Sequence, residues 1–377
     1  MNIVVMGPLY PYRGGISDTN KELCESLISS GHKVEVINFK LLYPRFLFPG
    51  KTQFHQSFEN TNLKSHRIIN TVNPFNWIRV IKKINELKPD LLISTYWTGL
   101  LSPCYYIINK LVSNKIKKIG IIHNVISHER RFTEKKLLKL YLSGLDKYFT
   151  LSKNVFNQIK KISKKPKGIN LFHPLMNKFG IKEDKIISKK TLGLNNDKKY
   201  ILFFGLIREY KGLETLIKSM PRVVETNPNV KLLIVGENYI SMKKYYQLIE
   251  KLNVSKNILV KNTFIDNDKI KYWFSSSELV IIPYKTASQS GITSLSFQFE
   301  IPTVSSNING LNELIKDNET GYLFNRNPTD LALKINNALK SDRKNIINNI
   351  ITLKKELTWK KFIIQILKHI VCINIAY

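Results

Sequence analysis

Apolar runs of strand length alternate with helical patterns along almost the whole chain, and this alternation restricts the fold more than any other feature. Strands are predicted at Ile3–Met6, Val34–Asn38, Asp90–Ser94, Lys118–Ile122, Lys147–Leu151, Tyr200–Phe204, Lys231–Val235, Asn257–Lys261, Leu279–Ile282 and Pro302–Ser305. Helices are predicted at Ile16–Ser30, Asn76–Leu87, Gly99–Val112, Glu134–Ser143, Gly212–Val224, Met242–Leu252, Asp268–Ser275, Gly291–Phe299, Leu311–Ile315 and Pro328–Leu339. Because strands that alternate with helices pair in parallel and are covered on both faces, the pattern predicts an α/β protein.

The alternation pauses between residues 160 and 199, a lysine-rich stretch with a single short strand predicted at Ile169–Phe172. Domain boundaries fall in polar segments of this kind. We therefore expect two doubly wound, Rossmann-like domains that face each other, 1–175 and 176–356, with ligands at the carboxyl ends of their strands.

The chain carries a large excess of positive charge. It has 59 Lys and Arg residues against 28 Asp and Glu residues, which gives a formal net charge of +31. Three explanations stay open: attraction to anionic lipid headgroups, attraction to nucleic acid, and a Lys-, Ile- and Asn-rich bias of the source genome. The lysines occur in scattered pairs, which is typical of a broad basic surface.

Other features of the composition point to the cytoplasm. The sequence has no run of 18 apolar residues, and MNIVVMGPLY begins directly with a predicted strand and not with the basic start of a signal peptide. Cys24, Cys104 and Cys372 match neither a metal-ligand spacing nor a disulfide framework. We expect a cytoplasmic protein, and peripheral association with the inner membrane face stays open.

The segment Phe203–Leu213, FFGLIREYKGL, combines a strand, a short turn with two cations and the start of a helix. Backbone N–H groups at a helix N-terminus favour anions, and Arg208 and Lys211 add full positive charges beside them. This arrangement predicts a diphosphate site that begins at Gly205. The alternative is a charged turn exposed to solvent.

Six segments, taken together, resemble a known enzyme family. They are GPLYPYRGGIS (7–17), HNVISHE (123–129), GLIREYKG (205–212), PYKTASQSGITSLSFQFEIPTV (283–304), NGLNELIKDNETGYLF (309–324) and LTWKKFIIQIL (357–367). In this order they resemble retaining glycosyltransferases of family 4, which have the GT-B fold of two Rossmann-like domains facing across a cleft. The resemblance implies a nucleotide-diphosphate sugar as donor, a glycan or lipid-linked acceptor, and a final segment, 357–377, that crosses back to the first domain.

The chain departs from the usual family pattern at three positions. Ala287 and Leu295 stand where many members carry two glutamates, and Gln289-Ser290-Gly291 lies between them. A subgroup with a QSG loop resembles this chain better. Leu206 replaces the usual arginine after the glycine, and Arg208 is the residue expected to serve instead.

Site residues are assigned from these segments. Arg208 and Lys211 are expected to stabilise the charge that grows on the departing diphosphate, and the resemblance implies that His123 contacts the donor sugar or the reacting centre. The donor is expected to contact Gly14, Gly15, Gly205, Gln289, Ser290, Gly291, Ile292, Thr293 and Glu313. The acceptor is expected to contact Trp97 and His128.

Most of these assignments have a structural alternative. Gly14 and Gly15 also suit a plain tight turn, and Ser290 suits a simple helix cap. Glu313 suits the first turn of the predicted helix Leu311–Ile315. His123 and Trp97 suit a buried core, and His128 suits a cap.

No metal or other cofactor is expected. Asp266 and Asp268 form a D-x-D pair, but they precede a predicted helix, so capping explains them. The resemblance also implies metal-independent transfer. Three rival functions stay open: a GT-B nucleotide-sugar epimerase, a glycosyltransferase-like partner subunit that has lost catalysis, and a nucleic-acid binder, which lacks the aromatic and basic pattern of known modules.

Overall fold

A computed structural model describes residues 1–44, 52–55, 62–125 and 132–371. The chain divides into two compact units. The first unit comprises Met1–His173 together with the segment that begins at Trp359, and the second unit comprises Pro174–Thr358.

The first unit is built on a parallel sheet. Its strands are β1 (Asn2–Met6), β2 (Lys33–Leu41), β3 (Ser65–Asn70), β4 (Leu91–Tyr96), β5 (Lys117–Ile122), β6 (Lys147–Thr150) and β7 (Lys167–Asn170), and its helices are α1 (Gly15–Ser29), α2 (Pro74–Leu87), α3 (Ser102–Leu111), α4 (Phe132–Leu142) and α5 (Lys153–Ile162). The strand order is β3-β2-β1-β4-β5-β6-β7. The order of the strands therefore reverses between β1 and β4, which is where ligands bind in open α/β sheets.

The second unit repeats this architecture. Its helices are α6 (Lys185–Thr191), α7 (Leu213–Thr226), α8 (Lys243–Lys251), α9 (Asn267–Ser275), α10 (Gly291–Gln298), α11 (Pro328–Lys340) and α12 (Lys344–Glu356), and its strands are β8 (Lys199–Phe204), β9 (Val230–Val235), β10 (Ile258–Lys261), β11 (Leu279–Ile282), β12 (Thr303–Ser306) and β13 (Tyr322–Phe324). All pairings are parallel in the order β10-β9-β8-β11-β12-β13. Here the reversal lies between β8 and β11.

A last helix, α13 (Trp359–Val371), completes the first unit. Successive residues of β1 point to opposite faces of the sheet, so that Ile3 and Val5 enter one core and Val4 and Met6 enter the other. Helix α13 adds its apolar side to the core of Ile3 and Val5. The buried Trp359 donates a hydrogen bond from Nε1 to Oε2 of Glu22 at 2.5 Å, which fixes α13 against α1.

Several elements differ from the sequence-based expectation. Strand β3 was not predicted because it is an edge strand with alternating exposed and buried residues. Strand β13 and helices α5, α6 and α12 were also not predicted, the helices because lysine- and asparagine-rich patterns obscured their apolar stripes. The predicted helix Leu311–Ile315 is wrong, since the segment forms turns with isolated backbone bonds such as Ile315 N to Leu311 O at 3.2 Å.

Two absences concern the described ranges. No helix there is long and apolar enough to cross a membrane. No group of three or more His, Cys, Asp or Glu residues there is arranged to hold a metal ion. Asp266 precedes α9 as expected, but its side chain makes no capping bond and instead pairs with Lys269 at 3.2 Å.

Candidate functional site

The loop after β8 turns sharply at two glycines. Gly205 has a φ of +97° and Gly212 a φ of +68°, both in the left-handed region that favours glycine. A Cβ on Gly212 would lie 1.9 Å from the carbonyl oxygen of Pro283, so only glycine allows the loop to approach the end of β11 this closely. Because β8 and β11 flank the reversal of strand order, the loop is held at the position where ligands are expected.

Lys211 is a buried cation at this position. Its residue is 7% exposed, and no salt bridge to a carboxylate is found for it among the described residues. The ammonium nitrogen lies 5.4 Å from the ring centroid of Tyr284 and 3.1 Å from the place where a Cβ on Gly205 would sit. Burial, together with the charge of Arg208, lowers the pKa of Lys211 from 10.5 to about 7. An anionic ligand would stabilise the charged form of this buried ammonium and raise its pKa.

Arg208 begins the same turn. Its guanidinium lies 4.8 Å from the ring centroid of Tyr239, a cation–π distance, and its charge acts on Lys211. Arg208 caps the short 3-10 helix Glu209–Lys211, so the two cations lie at its two ends. The structure therefore groups Gly205, Arg208 and Lys211 in one loop, and their contact with a diphosphate stays a prediction.

The N-terminus of α10 contributes both a cap and unpaired polar atoms. Oγ of Ser290 accepts a hydrogen bond from the backbone N of Ile292 at 3.2 Å, so the capping alternative holds for Ser290, and this N–H is already used. The side chain of Ile292 reaches the site, 3.3 Å from the place of a Cβ on Gly205. Gln289 Oε1 and Thr293 Oγ1 are buried without a hydrogen-bond partner among the described residues. Unpaired buried oxygens are costly, which makes both side chains good ligand contacts.

Glu313 lies in the turns between β12 and β13, not in the first turn of a helix. This segment starts at Gly310, where a Cβ would lie 2.5 Å from the carbonyl oxygen of Ser288. Glu313 is therefore on a segment that packs against the loop before α10.

Two residues of this site were missed in the sequence. Tyr284 is buried beside Lys211 and makes an edge contact with Tyr210, with 5.8 Å between the ring centroids. Glu237 is a buried acid after β9, and its backbone oxygen accepts a hydrogen bond from the N of Ile207 at 2.8 Å. Both follow a strand within two residues, and that position was the available signal.

The first unit has a pocket of about 120 Å³ at the reversal between β1 and β4. Gly14 caps α1 with a φ of +110°, and Gly15 opens the helix. Both glycines line the pocket together with Trp97 and Tyr43, and Trp97 Nε1 donates a hydrogen bond to the Tyr43 hydroxyl at 2.7 Å. The structure thus groups Gly14, Gly15 and Trp97.

His123 is fully buried at the end of β5, 1% exposed. Its Nε2 has no hydrogen-bond partner within the described ranges. Burial, with a smaller effect of His173, lowers the pKa of His123 to about 3, so the imidazole is neutral near pH 7. His123 is not among the described residues that line the pocket of Gly14 and Trp97. His128 lies outside the described residues.

Comparison with known proteins relates the chain to glycosyltransferases. Residues 184–352 match the model of the family described as Glycosyl transferases group 1. A protein of Methanocaldococcus jannaschii described as an uncharacterized glycosyltransferase is 27% identical over 380 residues, which cover 93% of this chain and 92% of the relative. The capsular polysaccharide biosynthesis glycosyltransferase CapM of Staphylococcus aureus is 27% identical over 153 residues, which cover 40% of this chain and 38% of the relative.

A solved structure with the same fold is that of Anabaena HepE in complex with UDP-glucose. It superposes with a TM-score of 0.76 at 15% identity and covers 98% of this chain and 100% of that chain. The prediction of two parallel-sheet, Rossmann-like α/β domains is confirmed, and the fold is the one found in GT-B glycosyltransferases. Together the comparisons support a GT-B glycosyltransferase family.

Proposed function

We propose that this chain is a retaining glycosyltransferase of family 4, of the subgroup with a QSG loop, which transfers a sugar from a nucleotide-diphosphate sugar to a glycan or lipid-linked acceptor. The observation that carries the proposal is the buried Lys211 beside Arg208. Both lie at the strand reversal of the unit that contains the segment 184–352 matched by the family model. A role in cell-surface polysaccharide biosynthesis is supported by the likeness to CapM.

The two cations act on the leaving group. As the bond between the anomeric carbon and the diphosphate oxygen breaks, its electron pair stays on that oxygen and negative charge grows there. Lys211 and Arg208 are fixed before the reaction by Tyr284 and Tyr239, so they stabilise this charge without reorganisation. The acceptor oxygen forms the new bond on the same face of the sugar, and its proton passes to the departing diphosphate.

The remaining donor contacts surround this centre. The oxygens of Gln289 and Thr293 would accept hydrogen bonds from hydroxyl groups of the donor, and the segment of Glu313 lies beside them. Gly205 and Gly291 leave room for close approach of the diphosphate. In this proposal protein cations replace a divalent metal, so activity is expected to persist in EDTA.

The first unit is proposed to contact both substrates, the donor through Gly14 and Gly15 and the acceptor through Trp97. In their shared pocket, the Trp97 ring offers an apolar face to a sugar ring, and Gly14 and Gly15, which have no Cβ, allow a ligand to approach the backbone closely. His123 stays neutral near pH 7, so it acts as a hydrogen-bonding group near the reacting sugar and not as a cation. His128 stays a proposed acceptor contact.

Calorimetry with a panel of nucleoside diphosphates tests the proposal, followed by turnover of the matching donor sugar. Lys211→Ala should lower turnover about a hundredfold, as the loss of one charge-stabilising donor usually does. Lys218→Ala is the matched control, because Lys218 lies on α7 and pairs with Glu214 at 2.6 Å in an exposed position. Retained turnover in Lys211→Ala would remove this lysine from the mechanism.

The rivals give different results in the same experiment. An epimerase converts the donor without an acceptor. A catalytically silent partner subunit binds a nucleoside diphosphate or none and turns over no donor. The absence of carboxylates at Ala287 and Leu295 is the observation that keeps the silent subunit as a second possibility.

A further inference from the structure

Helix α2 of the first unit carries two different faces. Its buried residues, Trp77, Val80, Ile81 and Ile84, enter the core. On the opposite side, Phe75, Ile78, Arg79 and Lys82 follow one another at the spacing of one helical face, and we call these four residues the outer stripe of α2.

The apolar members of the outer stripe are unusually exposed. Phe75 is 85% exposed and Ile78 is 53% exposed, and Val72, just before the helix, is 49% exposed. One exposed apolar residue is normal on a protein surface. Two on the side of the helix that faces away from its own core, with a third just before the helix, indicate a contact surface.

The first turn of α2 is held firmly, so this exposure does not come from a frayed helix end. Asn73 Oδ1 accepts a hydrogen bond from the N of Phe75 at 3.0 Å and caps the helix. Asn76 Oδ1 accepts one from the N of Asn70 at 2.8 Å, and Trp77 Nε1 donates one to the Asn70 oxygen at 2.8 Å. The phenyl ring of Phe75 is therefore presented to solvent by a rigid support.

Positive charge accompanies these apolar residues. Neither Arg79 nor Lys82 has an ion-pair partner within the described ranges. Glu86, the next residue along the same side, is engaged by Lys83 at 3.7 Å. The outer stripe therefore combines two apolar side chains with two uncompensated cations, on a chain with a net charge of +31.

We propose that the outer stripe of α2 docks the protein on an anionic lipid bilayer. Phe75 and Ile78 enter the boundary between headgroups and acyl chains, and Arg79 and Lys82 contact lipid phosphates. A protein partner or a second copy would cover the apolar side chains equally well, but the flanking cations match a surface of many phosphates.

A second exposed apolar patch, on α6, has one free cation beside it, in the part of the chain that the structure describes, instead of two and provides the control. Ile186 and Ile187 are also exposed there. However, Lys185 pairs with Glu278 at 2.6 Å, and Lys189 donates hydrogen bonds to backbone oxygens. Lys185 and Lys189 are therefore engaged, and Lys190, exposed one turn after Ile186, is the one cation of α6 without an ion pair or side-chain hydrogen bond among the described residues.

Vesicle flotation of the full chain tests the proposal and needs neither donor nor acceptor, so its outcome is independent of the transfer reaction. The chain should float with vesicles of phosphatidylcholine and phosphatidylglycerol and much less with phosphatidylcholine alone. Phe75→Ser with Ile78→Ser should lower the bound fraction about tenfold, and Arg79→Gln with Lys82→Gln should weaken binding to the anionic vesicles about 30-fold. Ile186→Ser with Ile187→Ser should bind like the wild type.

Any one of four results would overturn the proposal. The first is that the wild-type chain does not float with anionic vesicles. The second is that the Phe75 and Ile78 variant, shown to be folded by an unchanged melting temperature, binds vesicles as well as the wild type. The third is that the α6 variant loses vesicle binding instead. The fourth is that sedimentation shows a dimer that Phe75→Ser dissociates, in which case a second copy covers the outer stripe.

Discussion

The lowered pKa of Lys211 predicts that the affinity for a nucleoside diphosphate depends on pH in a defined direction. The free protein has a Lys211 pKa of about 7 because the ammonium is buried and lies near Arg208. A diphosphate binds the protonated form and raises this pKa, so above pH 7 binding must first take up a proton. The apparent Kd then increases with pH until it reaches the Kd of the protein with a neutral lysine; where that form binds about 10- to 100-fold more weakly, the increase is about 5- to 10-fold at pH 8 and about 10- to 50-fold at pH 9.

The variant Lys211→Met separates this effect from other titrations. It keeps the length and apolar character of the stem but removes the charge. Loss of a charged hydrogen bond of about 1.5–3 kcal/mol should weaken binding roughly 10- to 100-fold at pH 6.5. The Kd of the variant should then stay flat up to pH 9, so the two curves converge as the wild-type lysine loses its proton.

Calorimetry in buffers of different ionisation enthalpy measures both quantities. At pH 8 the wild type should take up about 0.4–0.8 protons on binding, and Lys211→Met about none. Lys218→Met, on the exposed side of α7, should behave like the wild type. A wild-type Kd that does not change between pH 7 and pH 9, or a slope that survives in Lys211→Met, would refute the assignment of Lys211 as the buried ligand of the diphosphate.

Three further predictions concern the same unit. The pKa of Lys211 in the folded protein lies below its unfolded value of 10.5, so the unfolded state holds more protons between pH 7 and 10.5 and the free energy of unfolding should rise with pH across that window. In urea unfolding, Lys211→Met should be more stable than the wild type by on the order of 4 kcal/mol at pH 6 and by under about 1 kcal/mol at pH 10. A variant as stable as the wild type at both pH values would contradict the free-energy cost assigned to burying the Lys211 charge. Tyr284→Leu removes the ring beside the Lys211 ammonium and should move the pH dependence of diphosphate binding to lower pH. Tyr284→Phe keeps the ring and should leave the pH dependence unchanged. Identical pH profiles for the two variants would show that the cation–π contact is without effect. Gly193 and Gly212 have nearly equal φ values of +66° and +68°, but of the two only Gly212 would bring a Cβ against backbone, at the Pro283 oxygen. Thermal melting should therefore show that Gly193→Ala lowers the stability by about 1 kcal/mol and Gly212→Ala by about 3 kcal/mol or more. Equal losses of stability would show that the loop can shift to admit the Cβ.

The alternation of strands and helices made the parallel sheets predictable, because each buried strand leaves a continuous apolar run. Edge strands do not, and β3, with the sequence SHRIIN, has one fully buried residue. The segment Leu311–Ile315 has the apolar spacing of a helix, but Gly310 is held at a φ of +92° against Ser288 and the chain continues in turns. Local pattern could not reveal that tertiary constraint.

The candidate site shows the same division between local and distant information. The positions of Arg208 and Lys211 follow from a strand, a turn and a helix start, all within one short segment. The burial of Lys211 depends on Tyr284, more than 70 residues later, and on the glycine contact with Pro283. No feature of FFGLIREYKGL alone gives the environment that lowers the pKa.

Helix α13 has a consequence for how the protein is made. Its residues Trp359, Phe362 and Ile363 belong to the core of β1, although more than 180 residues of the second unit lie between them and the rest of the first unit. During synthesis the amino-terminal sheet must wait with one apolar flank uncovered until the whole second unit has left the ribosome. Chaperone contact should therefore concentrate on that flank of the nascent chain, and ribosome-bound chains that end at Thr358 and carry a linker long enough to clear the exit tunnel should be cleaved by protease in the first unit while the second unit resists.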